Sequence, residues 1–594
     1  MLPGMGIFYS ITLADILQWE IPELQAKWPN KEWEDLPPDV QQILEKQARG
    51  VFDEKKILSY CPADGRVLGD VETGIKPATP EDIDAAVERA DIAFSTWKNS
   101  TFAERRKVLK TLLKYVLDHQ DEIAAVCCLD TGKTKVDASF GEILVTAEKL
   151  QWTIDHGEAA LSEDRRPTNL LMMYKRNTVR YEPLGVIAAC VSWNYAFHNV
   201  ISPIIGAIFA GNSIIVKPSE HTAWSCVHFC NIIRAAISSC GFPADIVQSA
   251  VCLPQTANAL TSHPGISHII FIGSRPVAHH VAASAARSLT PVTVELGGKD
   301  PCIILDDSKT INELPTITSI LMRGVFQSSG QNCVGIERII ALPGVYDQIA
   351  AMVTPRIKSL HLGSALLDKD GAPDMGAMIC GRPFDELETL IADAVSNGAK
   401  LLCGGKRYEH PLYPRGHYFQ PTLLADVTPS MKIAQTELFA PIFVMMRAET
   451  AAEAVRIANS TIYALGASIF GNNKDQIEHC VSNIHAGMVA VNDFGIYYAV
   501  GLPFGGCKGS GYGRFGGAEG LRSLSNLKAV SVDRIPGVKT AIPPPLDYPV
   551  NKGEGGEKRN GSGAWEMCKG VVETGYGLSV MSKAKGVGKI LKNL

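Results

Sequence analysis

A chain of 594 residues is long enough for several domains and a large buried core. Its 46 % hydrophobic and 20 % charged residues are ordinary for a globular protein, and a net charge of −5 gives no electrostatic footprint for nucleic acid. The 15 cysteines are scattered without a CxxC pair or zinc-like Cys/His spacing, which fits a reducing compartment. Neither HExxH nor an Asp-rich loop occurs, so no metal is expected.

Met1 to Trp19 is mostly apolar, but Asp15 interrupts it and no Lys or Arg precedes it, unlike a secretory signal. It is short for a membrane span. Two readings stay open: a terminal segment packed on the body, or an interfacial anchor or remnant of a span. Trp28 to Gln47 is polar and Pro-marked, a linker or a small helix. Asp64-Gly65 marks a turn between β-like pieces, and Pro80 to Trp97 reads as a helix. Thr101 and Glu104 form a capping-box pattern before a helix whose apolar face is expected to hold Val108, Leu112, Leu113, Val116 and Leu117. Residues Ser162 to Tyr181 are β-prone.

From Val186 to Gly298 the runs VIAACVS, SIIVK, DIVQSA, SHIIFIG and PVTVEL alternate with helix-like stretches. Such alternation predicts an α/β fold: a parallel sheet with helices on both faces, binding ligands at the strands' carboxyl ends. Asn194, Lys217, Gly273 and Glu295 all fall at such ends. A second α/β alternation follows between Asp300 and Val500: CIIL, a helix before Cys333, ERIIAL, FVMM and GASIFG. Beyond Asp533, Pro543-Pro544-Pro545 and the stretch Gly553 to Gly563 read as a flexible linker. In the tail, Val580, Ala584, Val587, Leu591 and Leu594 make one helical stripe, with Lys585, Lys589 and Lys592 opposite and Lys583 at the border. That pattern suits a basic amphipathic helix on an anionic membrane surface. Gly586 and Gly588 each cost about 1 kcal/mol of helix propensity, which leaves a disordered tail as the alternative.

Three residue types stand out chemically. Gly330-Gln331-Asn332-Cys333-Val334-Gly335 sets a cysteine among glycines at the end of a helix-like run. Glu295 ends a β-like run before two glycines, and Asn194 follows another. A lone cysteine is more often a small buried hydrophobe than a nucleophile. Together, a thiol, a carboxylate and an amide supply the nucleophile, base and oxyanion donor of acyl chemistry. For a cofactor, the only GxGxxG (Gly511 to Gly516) follows no strand and reads as a structural turn. Lys217-Pro218-Ser219-Glu220 is the better candidate, since a Lys reaches ribose or phosphate oxygens and a carboxylate binds ribose hydroxyls. Gly273-Ser274 closes a strand and opens a helix, a natural pyrophosphate site.

The motifs VSWN, IIVKPSEHT, VTVELGGKDP, FQSSGQNC, ELFAPIF and LPFGGCKGSGYGR resemble those of the aldehyde dehydrogenase superfamily, over about Ser59 to Asp533. The resemblance implies a Rossmann-like cofactor domain (residues 59–161 and 184–297), an α/β catalytic domain (298–522) and a β arm that pairs between subunits (162–183 and 523–535). Residues 1–58 and 536–594 are then an extension and a linker with tail. It implies NAD(P)-dependent oxidation of an aldehyde to a carboxylic acid through a cysteine thiohemiacetal and thioester. Cys333 is the implied nucleophile, Glu295 the base and Asn194 the oxyanion donor. Trp193, Lys217, Glu220, Gly273, Ser274, Glu437 and Phe439 are the implied contacts to NAD, with NADP the alternative cofactor. A homodimer or homotetramer is implied. The pattern SGQNCVGIER and the extra termini most resemble the fungal and plant branch linked to the endoplasmic reticulum, so a cytoplasmic protein peripheral to that membrane is expected.

The chain departs from the family in three places. Arg275-Pro276-Val277-Ala278 replaces its usual turn, with Pro276 read at the first helical position. Ala440 stands for a Gly. Glu295 lies 38 residues before Cys333, a few more than usual, with the excess assigned to a surface loop at Asp306 to Pro315. Two rival readings are a CoA-acylating semialdehyde dehydrogenase, against which Glu295 argues, and a catalytically silent scaffold at a membrane.

Overall fold

The apolar runs between Val186 and Leu296 become one sheet in the computed structural model, which describes residues 36–70, 73–368, 372–548 and 561–594. Its strands lie in the order Gly511–Tyr512, Val292–Leu296, Ile266–Gly273, Val186–Cys190, Ser213–Lys217, Val247–Ser249. All neighbours are parallel except the first pair. Val186–Cys190 is buried at every position, as a central strand must be when helices cover both faces. Helix Pro80–Trp97 lays Ile83, Ala86, Val87 and Ala90 into the same apolar cluster as Ala188, Ile215 and Ile269. The α/β class expected from the alternation is what the chain forms.

A second sheet carries seven strands in the order Lys400–Cys403, Thr422–Ala425, Ile442–Arg447, Arg338–Ala341, Pro301–Ile304, Gly466–Phe470, Met488–Val491. Only the edge strand Lys400–Cys403 is antiparallel to its neighbour. Four of the seven follow from the apolar runs. The other three, Lys400–Cys403, Thr422–Ala425 and Met488–Val491, have no counterpart among those runs.

The helix Phe102–Asp118 has its capping box at Thr101 and Glu104. Its buried face holds Arg105, Val108, Leu109, Leu112, Tyr115 and Val116. Leu117, expected there, is 53 % exposed, because each residue turns the helix by about 100° and carries this one past the stripe's edge. The expected surface loop at Asp306 to Pro315 is also different. Asp307 caps a helix, Ser308–Phe326, that contains Pro315, so any extra residues lengthen a helix. In the polar region before the body, Pro38–Ala48 is a helix burying Val40 and Leu44; residues 28–35 and the apolar N-terminal run lie outside the described residues.

The chain divides into two units. The larger one holds both sheets, from the first described residue to Leu161 and over Pro183–Ser525. The smaller one comprises Ser162–Glu182 and Asn526–Leu594. There the strands Ser525–Asp533, Lys175–Pro183 and Asp164–Arg166 make a three-stranded sheet, tied by Lys175–Asp533, Lys528–Glu182 and Arg180–Glu163 ion pairs. Two helices close the chain, Gly561–Tyr576 and Val580–Asn593. Residues 561–563 of the expected linker thus begin a helix; its remainder from Gly553 lies outside the described residues. Among the described residues no helix is long and apolar enough to cross a membrane.

Candidate active site

Helix Ser308–Phe326 delivers the cysteine through a kink. Ser328 (φ 52°), Ser329 (φ 58°) and Gly330 (φ 75°) all take left-handed backbone, a conformation that persists where the surroundings over-determine it. At Gly330 a Cβ would sit 2.2 Å from the Ala440 carbonyl oxygen, so only glycine passes there. Gln331 locks the turn: its Nε2 donates to the Ser328 carbonyl at 3.1 Å and its Oε1 accepts from the Ile379 N–H at 2.9 Å. Cys333 emerges partly exposed, and it opens onto a cavity of about 360 Å³.

Glu295 approaches from the end of strand Val292–Leu296, paired beside Ile272 and Gly511. It is buried, and burial pushes its pKa up to about 7 despite a bond to the Cys333 thiol. Its Oε1 has no partner among the described residues. The Cys333 thiol is held well above its ordinary range, first by burial and then by the Glu295 charge. At neutral pH the pair therefore rests as a protonated thiol beside a half-ionised carboxyl, a base poised where proton transfer is most efficient.

Asn194 is fixed in orientation. Its Oδ1 accepts from Ser192 Oγ at 2.7 Å and Asn199 Nδ2 at 3.2 Å, which leaves Nδ2 to donate. One of the two Nδ2 hydrogens goes to the Gln331 carbonyl at 3.2 Å, and the other is available to an oxygen near Cys333. Behind it, Lys133 Nζ donates to the Asn194 carbonyl (2.8 Å) and to Glu142 Oε1 (2.6 Å). Glu142 Oε2 accepts from the Phe197 and His198 N–H groups, at 2.9 Å each. Glu142 lies in a π-helical turn, Ser139–Leu144, a distortion that recurs at functional sites. The sequence does not announce the support this pair gives, since Lys133 and Asn194 are 61 residues apart.

Eight of the ten residues expected at the site line the cavity: Trp193, Asn194, Gly273, Ser274, Glu295, Cys333, Glu437 and Phe439. Lys217 and Glu220 lie outside its lining, at the end of the neighbouring strand, where Lys217 Nζ pairs with Glu220 Oε2 at 3.1 Å. Burial opposes both charges, yet their attraction prevails: the lysine pKa is raised and the carboxyl pKa lowered. Ser274 starts helix Arg275–Ala285 without capping it, so the first-turn N–H groups remain open. Pro276 is the second helical residue and not the first; it still removes only a donor that no helix bond uses. Gly511 to Gly516, read from the sequence as a structural turn, instead opens with the short strand Gly511–Tyr512, which pairs antiparallel with Val294 and Glu295; a Cβ at Gly511 would lie 2.1 Å from the Val294 carbonyl oxygen, and only the residues after Tyr512 are irregular.

Glu437 accepts from the Gly298 N–H at 3.0 Å, and a Cβ at Gly297 would fall 1.6 Å from its Oε1. The two glycines of ELGG thus make room for a carboxyl whose pKa burial raises to about 8. Phe439 sits at φ 51°, strained for a bulky side chain. Glu337 holds it there, accepting from the Leu438 and Phe439 N–H groups while paired with buried Lys299 at 2.6 Å. The Phe439 ring meets Trp193 edge to face, centroids 5.7 Å apart. Glu337, like Lys133 and Glu142, escaped the sequence reading.

A model described as the aldehyde dehydrogenase family matches residues 51–530. An aldehyde dehydrogenase-like protein of Schizosaccharomyces pombe is 52 % identical over 518 residues, covering 87 % of this chain and 96 % of that protein. Another, from Saccharomyces cerevisiae, is 50 % identical over 546 residues, covering 90 % of this chain and 82 % of that one. Among solved structures, a Mycobacterium tuberculosis aldehyde dehydrogenase complexed with NAD+ superposes with a TM-score of 0.74 at 29 % identity, covering 82 % of this chain and 96 % of the other.

Proposed function

The chain belongs to the aldehyde dehydrogenase family, and on that premise we propose that it oxidises an aldehyde to a carboxylic acid through a thioester on Cys333. The observation that carries this reading is the convergence, on one cavity, of a thiol, a carboxyl with a free oxygen and an oriented amide. Glu295 takes the thiol proton as Cys333 Sγ bonds to the aldehyde carbon. The resulting oxyanion is met by Asn194 Nδ2, whose position is set in advance by Ser192, Asn199 and, through its backbone, Lys133. One such donor is typically worth about 3–4 kcal/mol of barrier. Glu295, again ionised, takes a proton from the water that opens the thioester. Retention of this carboxyl favours water over coenzyme A as the acyl acceptor, and the complete triad argues against a silent scaffold.

The residues fit a nicotinamide dinucleotide. The Lys217–Glu220 pair offers a charge and an acceptor to the adenosine ribose, and the open first turn at Ser274 offers N–H groups to pyrophosphate beside Gly273. Glu437 and the Trp193–Phe439 wall border the cysteine end of the cavity, suited to the second ribose and the ring. When bound, that group supplies the acceptor for the hydride released at the substrate carbon. The NAD+ in the Mycobacterium structure supports this choice. Reduction of NAD or NADP during a scan of short, aromatic and long-chain aldehydes tests the reading; no turnover with any of them sinks it.

We also propose that the smaller unit pairs with a second copy of the chain. Leu527 on its sheet, and Leu170, Leu171 and Met173 in the segment that joins two of the strands, are exposed. Sedimentation equilibrium that finds only monomer overturns this. Weak contact of the tail with an anionic lipid surface is the remaining proposal. It is supported by the stripe Val580, Ala584, Val587, Leu591 and Leu594, which faces outward, on a helix that carries four lysines and no acidic residue.

A further inference from the structure

Three lysines largely withdrawn from water have acidic partners. Lys133 pairs with Glu142, Lys217 with Glu220 and Lys299 with Glu337. Lys149 is different. It projects from helix Val145–Ala160 into the wall of the cavity that holds Cys333. Its Nζ donates to Ser202 Oγ at 2.7 Å and, more distantly, to the Phe515 carbonyl at 3.4 Å. Both are neutral acceptors. Burial brings its pKa down to about 8, and no carboxylate among the described residues offsets that effect.

The neighbouring groups do not supply the missing charge. His198, also in the cavity wall, bonds Thr146 Oγ1 at 2.9 Å and is kept neutral by burial and by Lys149 itself, its pKa lowered to about 3. The two carboxyls of the cavity, Glu295 and Glu437, are raised to about 7 and 8 by burial and are engaged at the Cys333 and Gly298 end. Around Lys149 the lining is apolar, with Val145, Val500, Leu502 and Phe515. An ammonium has three donors; with one on Ser202 and one weakly on Phe515, at least one remains for a ligand. A charge partly withdrawn from water with only neutral partners costs free energy, and an anion in the cavity lowers that cost.

We propose that Lys149, with Ser202 beside it, receives the far end of the substrate, and that this end is a carboxylate: the aldehydes taken by this chain are those bearing an acid group. The inference rests on the aldehyde-oxidation reading above. In it the aldehyde end meets Cys333 and Asn194 while the carboxylate bonds Lys149 Nζ, and the apolar walls between them cover the methylenes. Lys149 thereby selects among aldehydes and takes no part in the bond-making at sulfur.

The test compares 4-oxobutanoate with butanal, and 5-oxopentanoate with pentanal, on the full chain and on Lys149→Met and Lys149→Arg. The wild-type protein should prefer the acid-bearing aldehyde of at least one pair by about tenfold or more in kcat/KM, mainly through KM, as one charge-assisted bond allows. Lys149→Met should collapse that ratio, and Lys149→Arg should retain much of it. A lysine that merely props Ser202 and Phe515 would depress both members of a pair together and leave the ratio intact, which overturns the proposal. So does a wild-type preference for butanal and pentanal. Calorimetric titration of Cys333→Ala with 4-oxobutanoate and 5-oxopentanoate gives a second reading that needs no turnover. A further Lys149→Met change should weaken binding of the tighter ligand at least about tenfold. Unchanged or absent binding refutes the anion site, whereas binding without any oxidation by the wild-type protein refutes only the reading it rests on.

Discussion

The cavity at Cys333 and the helical pair at the C-terminus both combine apolar surface with lysines, but they arrange them in opposite ways. In the cavity the apolar walls face each other, and the polar groups among them are held by partners that fix their direction. Asn194 points its amide because Ser192 and Asn199 hold its oxygen, and Phe439 keeps a strained backbone because Glu337 holds its N–H. In the helical pair the apolar stripe Val580, Ala584, Val587, Leu591 and Leu594 faces outward. The two helices meet instead through their smallest residues: a Cβ on Gly586 would lie 2.5 Å from the Thr574 nitrogen and 2.7 Å from the Gly570 carbonyl oxygen. Lys589 turns inward to pair with Glu573, while Lys585 and Lys592 stay exposed. Gly586, which weakens an isolated helix, is here a reason two helices approach closely. Convergence makes a site for one small molecule; an outward stripe suits a surface.

The sharpest way to break this contrast is to remove the sulfur. Cys333→Ala should fold and bind cofactor as before and lose aldehyde oxidation almost completely. Retention of more than a few per cent of turnover, in a coupled spectrophotometric assay, would show that the cavity's convergence is incidental. Glu295→Gln comes next in size. The first burst of reduced cofactor should slow, because the thiol loses its base, and steady turnover should fall by about a hundredfold, the range of a general base. The pH profile carries the sign: Glu295 accepts a proton only when ionised, so deacylation should rise as pH passes upward through about 7 and then level off. In Glu295→Gln that rise should disappear. A normal steady rate in the variant would exclude Glu295 as the base.

How far these roles are legible without coordinates follows from what each residue depends on. Asn194, Lys217, Gly273 and Glu295 end apolar runs that a parallel sheet must bury, and the carboxyl edge of such a sheet is where ligands sit, so they were visible from pattern alone. Cys333 stood out by its glycine-rich flanks, whereas Glu437 and Phe439 became visible only through the family motif around them. Lys133, Glu142, Lys149 and Glu337 were not visible, because their meaning lies in whether a distant partner is present. Lys299 reaches Glu337 across 38 residues, and Lys149 is notable for reaching no acid. The position of Leu117 and the helix at Asp307 were misread because a stripe's edge and a cap near a proline are decided by packing that periodicity does not contain.

A smaller effect separates the adenosine end from the chemistry. Lys217, against the cost of burial, keeps the Glu220 carboxyl below its ordinary range, so it is ionised at neutral pH and repels a 2′-phosphate. NAD should therefore be preferred to NADP, and Glu220→Ala should shift the ratio of kcat/KM toward NADP by about tenfold, or about 1.4 kcal/mol. Equal efficiency with both cofactors in the unaltered protein would overturn the assignment.

The smallest expected effect tests the outward stripe. The helix Val580–Asn593 bears Lys583, Lys585, Lys589 and Lys592 without an acidic residue, and its exposed face carries Val580, Val587, Leu591 and Leu594, which are 87 %, 41 %, 70 % and 64 % exposed. Each lysine near an anionic surface contributes about 1 kcal/mol at physiological salt, and that attraction is screened as salt rises. The apolar residues are of modest size, so the stripe alone should not hold the protein on neutral lipid. Full-length protein should co-sediment weakly with phosphatidylserine-containing vesicles at low salt, dissociate at high salt, and ignore pure phosphatidylcholine. Deleting the residues after Lys552 should abolish the pelleting. Equal pelleting of full-length and truncated protein would place the contact outside the tail, and the outward stripe would then need a protein partner in place of lipid.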